Sequence, residues 1–225
     1  MSRLQFLSTP EESQLAKHVN ELRKELRGAD SAALASLTGS RYEDIDPESG
    51  DFYLSVWGED VKLSFPEFVA VDRESGAQLP TVTQALLAYY FHTADGASPA
   101  GRWISFSELP DGRFYSQAYQ GYSGQVIART FKDDVDELAQ VAETLPRAEL
   151  PFTEPQLKTN IGDRSFSFQA LPRIPLLLVY WQGDEDFAST YQVLFEASVI
   201  HYLPTDVCAI LGSTLTRKLV AGKGA

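Results

Sequence analysis

Leu176 to Trp181 is an unbroken apolar run, Leu-Leu-Leu-Val-Tyr-Trp, bounded by Pro175 on one side and Gly183 on the other. A run this short, partly branched and partly aromatic, reads as a strand buried on both faces. The alternating segment Ser165 to Gln169 precedes it, and the acidic turn Gly183-Asp184-Glu185-Asp186-Phe187 ends it. The chain then runs through Leu194-Phe195-Glu196 to His201-Tyr202-Leu203-Pro204-Thr205-Asp206. A strand covered on two faces needs layers above and below it, so this third of the chain bears the fold, with Trp181 expected in the core. It names no chemistry.

Helices bracket and interrupt the strand signals. Thr9, Pro10 and Glu12 have capping-box spacing and open a helix with the apolar stripe Leu15, Val19, Leu22 and Leu26. A shorter helix follows Asp30 and stops at Gly39. Phe52 to Val56 and Val61 to Phe65 read as a hairpin with the three-residue loop Gly58-Glu59-Asp60, and Phe68 to Val71 as a third strand. Glu43, Asp44, Asp46, Glu48 and Asp51 read as a solvated acidic loop before it. Thr81 with Gln84 repeats the capping-box spacing and opens a helix carrying Val82, Leu86, Tyr89 and Tyr90. Trp103 to Phe106 is a strand, Pro110-Asp111-Gly112 a turn, and Asp133 or Asp134 a cap for a helix through Leu145. Pro204-Thr205-Asp206 opens the last helix, with Val207, Cys208, Ile210 and Leu211 turned inward.

Strands and helices do not alternate regularly, which favours an α+β fold over a doubly wound sheet. The expected architecture is a mixed or antiparallel sheet flanked by helices, one domain over 1–225 with a helical part at 1–40. The Pro-containing stretch 147–162 is the candidate internal linker.

Thirty-one acidic against nineteen basic residues give a net charge of -12, which repels a phosphate backbone or an anionic membrane surface. No nucleic-acid or membrane partner is expected, and no run reaches the roughly 20 apolar residues of a span. One cysteine, Cys208, cannot form an internal disulfide, and the first residues break into Ser8, Thr9 and Pro10 before a signal-peptide core accumulates. The expected setting is the cytoplasm, with a small molecule or a protein as partner.

No phosphate loop, His-Glu-x-x-His, paired cysteine or nucleophile elbow occurs. Gly121-Tyr122-Ser123-Gly124 lacks the ending of a phosphate cradle. Arg102 stands before Trp103, and Arg173 stands between Pro172 and Pro175, each beside an aromatic-rich strand. A planar guanidinium stacked there can grip a carboxylate or phosphate. An internal ion pair with Glu108, Glu196 or Asp206 is the commoner reason for such an arginine. Tyr115, Tyr119 and Tyr122 are placed either to line a flat apolar site or to pack. Asp184, Asp186, Glu196 and His201 have the chemistry of a divalent-metal set, although acids in a strand-ending turn usually face water. His18 and His92 are scattered.

Gly101-Arg102-Trp103-Ile104-Ser105-Phe106-Ser107-Glu108-Leu109-Pro110, Leu171-Pro172-Arg173-Ile174-Pro175, Trp181 to Phe187 and Tyr202 to Asp206 occur in that order. Together they resemble the family catalogued as domain of unknown function 3786, over roughly Thr81 to Leu211. The resemblance implies an uncharacterised domain of anaerobic bacteria and archaea, joined in some members to a cysteine-rich iron–sulfur module. With Cys208 the one cysteine here, the chain has no ligand set for such a module.

The residues favour a binding or accessory module for a small anionic ligand or cofactor, with Arg102, Trp103, Arg173 and Tyr115 at the site. The alternative is a metal-assisted hydrolase using Asp184, Asp186, Glu196 and His201. Neither reading names a particular cofactor.

Overall fold

The computed structural model describes residues 10–148 and 161–223. Thr9 and most of the candidate linker lie outside the described residues. Helix α1 (Pro10–Leu26) and helix α2 (Ser31–Thr38) come first. Asp30 caps α2 by accepting the Ala33 N–H at 3.0 Å, and Gly39 closes it with a left-handed φ of 69°. Gly39 also lies against Arg173, whose Nε would be 3.0 Å from an added Cβ.

Four strands, β1 (Arg41–Asp46), β2 (Ser49–Val56), β3 (Glu59–Phe65) and β4 (Ala70–Asp72), form an antiparallel meander in the order β1-β2-β3-β4. The acidic segment expected to be a loop is the edge strand β1, paired with β2 from Arg41 opposite Tyr53 to Asp46 opposite Ser49. Its charges face water, as an edge requires if it is not to recruit another strand, while Tyr42 packs on Phe52 with ring centres 4.8 Å apart. Asp51 is buried on β2 and paired with Lys62 at 3.3 Å. The hairpin loop is two residues, Trp57-Gly58, rather than the expected three. Both take positive φ (55° and 82°), the geometry that suits a two-residue turn to strand twist, so Glu59 and Asp60 join β3.

Helix α3 (Thr81–Thr93) packs across α1. The expected capping box is absent: Pro80 occupies the cap position with no side-chain bond. Gln84 instead turns inward, accepting from the Ala70 N–H at 2.9 Å and from Arg23 at 2.6 Å while donating to the Ala70 carbonyl at 2.6 Å. A buried amide with backbone partners to satisfy outcompetes a local cap.

The second sheet is also antiparallel, in the order β5-β8-β7-β6, from β5 (Trp103–Ser105), β6 (Arg164–Leu171), β7 (Ile174–Trp181) and β8 (Thr190–Glu196). Every residue of β7 from Ile174 to Tyr180 is buried. Leu176, Leu178 and Tyr180 face the main core, whereas Leu177 and Val179 join Leu194, Trp103, Ile161 and Trp181 on the other face. Trp181, expected in the core, is half-buried because it ends its strand on that second face. Pro175 falls where pairing with β6 shifts register between Gln169 and Leu171, a place that tolerates a missing N–H.

Between β5 and β6 in sequence lie α4 (Gly112–Tyr122), α5 (Gly124–Phe131) and α6 (Val135–Ala142), the last capped by Asp134. The closing helix α7 (Thr205–Gly222) buries Leu211, Leu215 and Leu219 and touches α3, α4, α5 and α6. Side chains from both sheets and these helices form one continuous core, which makes the fold α+β. Among the described residues, no helix is long and apolar enough to cross a membrane.

Candidate functional site

The N-terminal ends of α4 and α7 are brought together by close packing. Phe106 to Glu108 form a single 3₁₀ turn, capped by reciprocal bonding of Ser105 and Glu108: the Ser105 N–H donates to Glu108 at 2.8 Å. That bond, first among several, holds the Glu108 carboxyl below its ordinary range. Asp111 then takes a left-handed φ of 56°, a conformation aspartate accepts more readily than most residues. Gly112 follows because a Cβ there would sit 2.0 Å from the Phe106 carbonyl oxygen. The chain thereby enters α4 pressed against the turn it has just left.

Helix α4 turns Tyr119 inward, stacked on Phe106 with ring centres 4.2 Å apart. Its hydroxyl rests against Gly212 of α7. On the adjoining face, Tyr115, Ala118 and Tyr122 recur at the spacing of one helical stripe. Across from them, Pro204, Asp206, Ile210 and Ser213 line the matching side of α7. The Thr205 hydroxyl ties the two walls by donating to the Pro110 carbonyl at 2.7 Å.

Between the walls runs an open, mostly apolar groove of about 820 Å³, floored by Phe106 and Leu203 and edged by Ile200. Tyr115 (64% exposed), Tyr122 (44%) and Ile200 (45%) present large apolar surface to water. Partial burial raises the Tyr122 phenol above its ordinary pKa. Volume and lining fall in the range of small-molecule sites.

Of the residues singled out from sequence, Tyr115 and Tyr122 lie in this groove, Tyr119 packs behind it, and the arginines, Trp103 and the metal set lie elsewhere. Trp103 sits on the second face of the β5–β8 sheet, with its indole N–H unpartnered. Arg102 pairs with Glu108 at 3.4 Å, one of the internal ion pairs foreseen. Arg173 donates to the Ser36 carbonyl at 3.3 Å, and its backbone N–H to the Tyr90 hydroxyl at 3.2 Å. The two arginines stand at the same end of the sheet but beside β5 and at the β6–β7 turn, at least two strand spacings apart, roughly 10 Å. None of the described cavities is lined by both.

The metal set does not converge either. Among the described residues, no group of three or more His, Cys, Asp or Glu is placed to hold an ion. Asp184 and Asp186 lie beyond the Thr190 end of β8, and Glu196 closes its other end, roughly 20 Å away at the rise of an extended strand. Glu196 is buried and committed to Ser198, accepting its N–H at 2.8 Å and its hydroxyl. Asp184 accepts the N–H groups of Asp186 and Phe187, both at 2.9 Å, bracing its own turn. His201 pairs with Asp95 at 2.7 Å.

Pro110, Asp111, Ile200, Leu203 and Ile210 are groove residues that sequence reasoning did not assign to a site. The α4 wall was legible in the tyrosines at 115 and 122, whereas these five residues lie on the turn before α4, in the segment before α7 and on α7 itself, with no local pattern that marks a site. Ile210, expected inward, is only half-buried because it lines the groove.

The fold and groove together define an α+β protein of two antiparallel sheets with an aromatic cleft between two helix ends. Residues 30–218 match the family described as domain of unknown function (DUF3786), so the chain belongs to that family. No curated protein and no solved structure matches it.

Proposed function

We propose that this chain is a small-molecule-binding module whose ligand lays a flat apolar body in the groove between α4 and α7. The observation that carries the reading is the exposed apolar surface of Tyr115, Tyr122 and Ile200 around one concave site. Exposed aromatics gathered in a cleft are what a binding site retains at the expense of solubility. The anionic ligand suggested by Arg102 and Arg173 draws no support from this groove, because both guanidinium groups have partners elsewhere. A cytoplasmic setting accords with a single buried cysteine, whose thiol burial pushes toward the neutral, unreactive form.

Nile red, a neutral probe whose emission rises and shifts to the blue in apolar surroundings, tests the reading. The folded protein should bind it, and Ala118→Trp, which fills the groove from an exposed position, should abolish binding without lowering the melting temperature. Emission equal in the two proteins, or unchanged from buffer, contradicts the proposal.

A further inference from the structure

We infer that the groove's ligand carries a protonated amine or a quaternary ammonium on its apolar body, an inference that rests on the groove being a binding site. The lining contains two carboxylates, Asp111 and Asp206, and no lysine, arginine or histidine. They share one rim, because the Thr205 hydroxyl holds the Pro110 carbonyl at 2.7 Å and each acid is the next residue along its chain.

Neither acid is spent on the fold's own cations. Among the described residues, the ion pairs formed by aspartates use Asp51, Asp60, Asp95 and Asp136, and none uses Asp111 or Asp206. Asp206 lies in the first turn of α7, where its Oδ1 accepts the Val207 N–H at 3.0 Å. Both acids are exposed at the mouth of the groove.

The aromatic wall completes the chemistry. Tyr115 and Tyr122, seven residues apart, lie on one face of α4, and the face of a phenol ring attracts a cation. A cation between those rings and the acid rim meets favourable charge on both sides, and the -12 chain raises its local concentration. A carboxylate or phosphate in the same place meets two like charges and no donor cation. A neutral body gains the apolar contact alone.

Three probes of nearly equal shape separate these cases: naphthylmethylamine, naphthylmethanol and naphthoate, titrated into the full chain at neutral pH with affinity read by ligand-observed NMR. The amine should bind about tenfold more tightly than the alcohol, a difference of roughly 1.4 kcal/mol, with naphthoate weakest. Asp111→Asn keeps a residue that tolerates the left-handed backbone, and Asp206→Asn keeps an oxygen for the Val207 N–H. The amine-to-alcohol ratio should fall toward one in the double variant, with melting temperature reporting that the fold is intact. An amine and alcohol that bind equally overturn the ammonium inference and leave the groove as a neutral-ligand site, and an amine preference that survives both substitutions overturns the recognition by the acid rim on which the inference rests. Failure of all three probes to bind overturns the binding reading and this inference with it.

Discussion

Gly212 sits where α4 and α7 touch: a Cβ there would lie 2.0 Å from the Tyr119 hydroxyl oxygen and 3.0 Å or less from two further ring atoms of Tyr119. In an unpacked helix Gly→Ala would stabilise by about 1 kcal/mol. Here the ring cannot retreat, because it is buried and stacked on Phe106. Overpacking of that kind costs about 1–3 kcal/mol and should win. Gly212→Ala is therefore expected to lower the urea midpoint, and Tyr119→Phe, which removes the clashing oxygen, to restore part of the loss when combined with it. A double-mutant cycle measures the coupling directly; strict additivity would show that the two residues do not meet. Because the pair also sets the spacing of the groove walls, the same double variant should recover Nile red binding along with stability.

Helix α3 shows how one local pattern can serve two ends. Thr81 and Gln84 have the spacing of a cap, yet Gln84 spans from α3 to β4, serving both backbone groups of Ala70 and the Arg23 guanidinium. Gln84→Ala removes the side-chain partner of the Ala70 N–H and of the Arg23 guanidinium, while the Ala70 carbonyl keeps the Leu79 N–H at 3.1 Å, and should destabilise by about 1–3 kcal/mol; a loss of only a few tenths would return Gln84 to a capping role. The helix start after Asp30 and the cap at Asp133 or Asp134 were legible because the partners of Asp30 and Asp134 lie three residues on, within the span that sequence displays. Strand β7 was legible for a similar reason, since seven consecutive buried positions leave a continuous apolar run. What local reading missed depends on distant contacts. Strand β1 reads as a loop because only Tyr42 of its six residues packs inward, and the hairpin turn shifted because Trp57 adopts a backbone normally left to glycine or asparagine. Tyr115 and Tyr122 were legible as candidates, but the opposite wall was not, for the same reason: the turn at Pro110 and the helix start at Thr205 are 95 residues apart and meet through a hydrogen bond.

At the scale of the whole molecule, pH should unfold the chain from both sides. Hydrogen bonding from His201 holds Asp95 below its ordinary range, and the Ser75 and Ser49 hydroxyls do the same for Asp72 and Asp46. These carboxyls bind protons more readily when unfolded, so their contribution is present above about pH 4 and fades as pH falls through the lower folded values. Burial instead raises the phenols of Tyr90, Tyr119 and Tyr191. Their contribution is complete below the unfolded value near 10 and is lost as pH climbs toward the folded values. Urea midpoints should fall at both ends, and tyrosinate absorbance from part of the ten tyrosines should appear only with loss of secondary structure. Smooth titration of every tyrosine in the folded protein contradicts this. Strand β7 has a consequence for the chain before it is folded. Ile174 to Trp181 carries no charge, and until β8 has been synthesised it offers an unpaired edge of the kind that seeds cross-β stacking between nascent chains. Pro175 and the Asp184-Glu185-Asp186 turn flank it as gatekeepers, repelling neighbouring copies during that interval. Replacing the three acids together with Asn, Gln and Asn should leave the melting temperature nearly unchanged but send a larger share of newly made protein into inclusion bodies, and an unchanged soluble fraction would leave the acidic turn without that protective role.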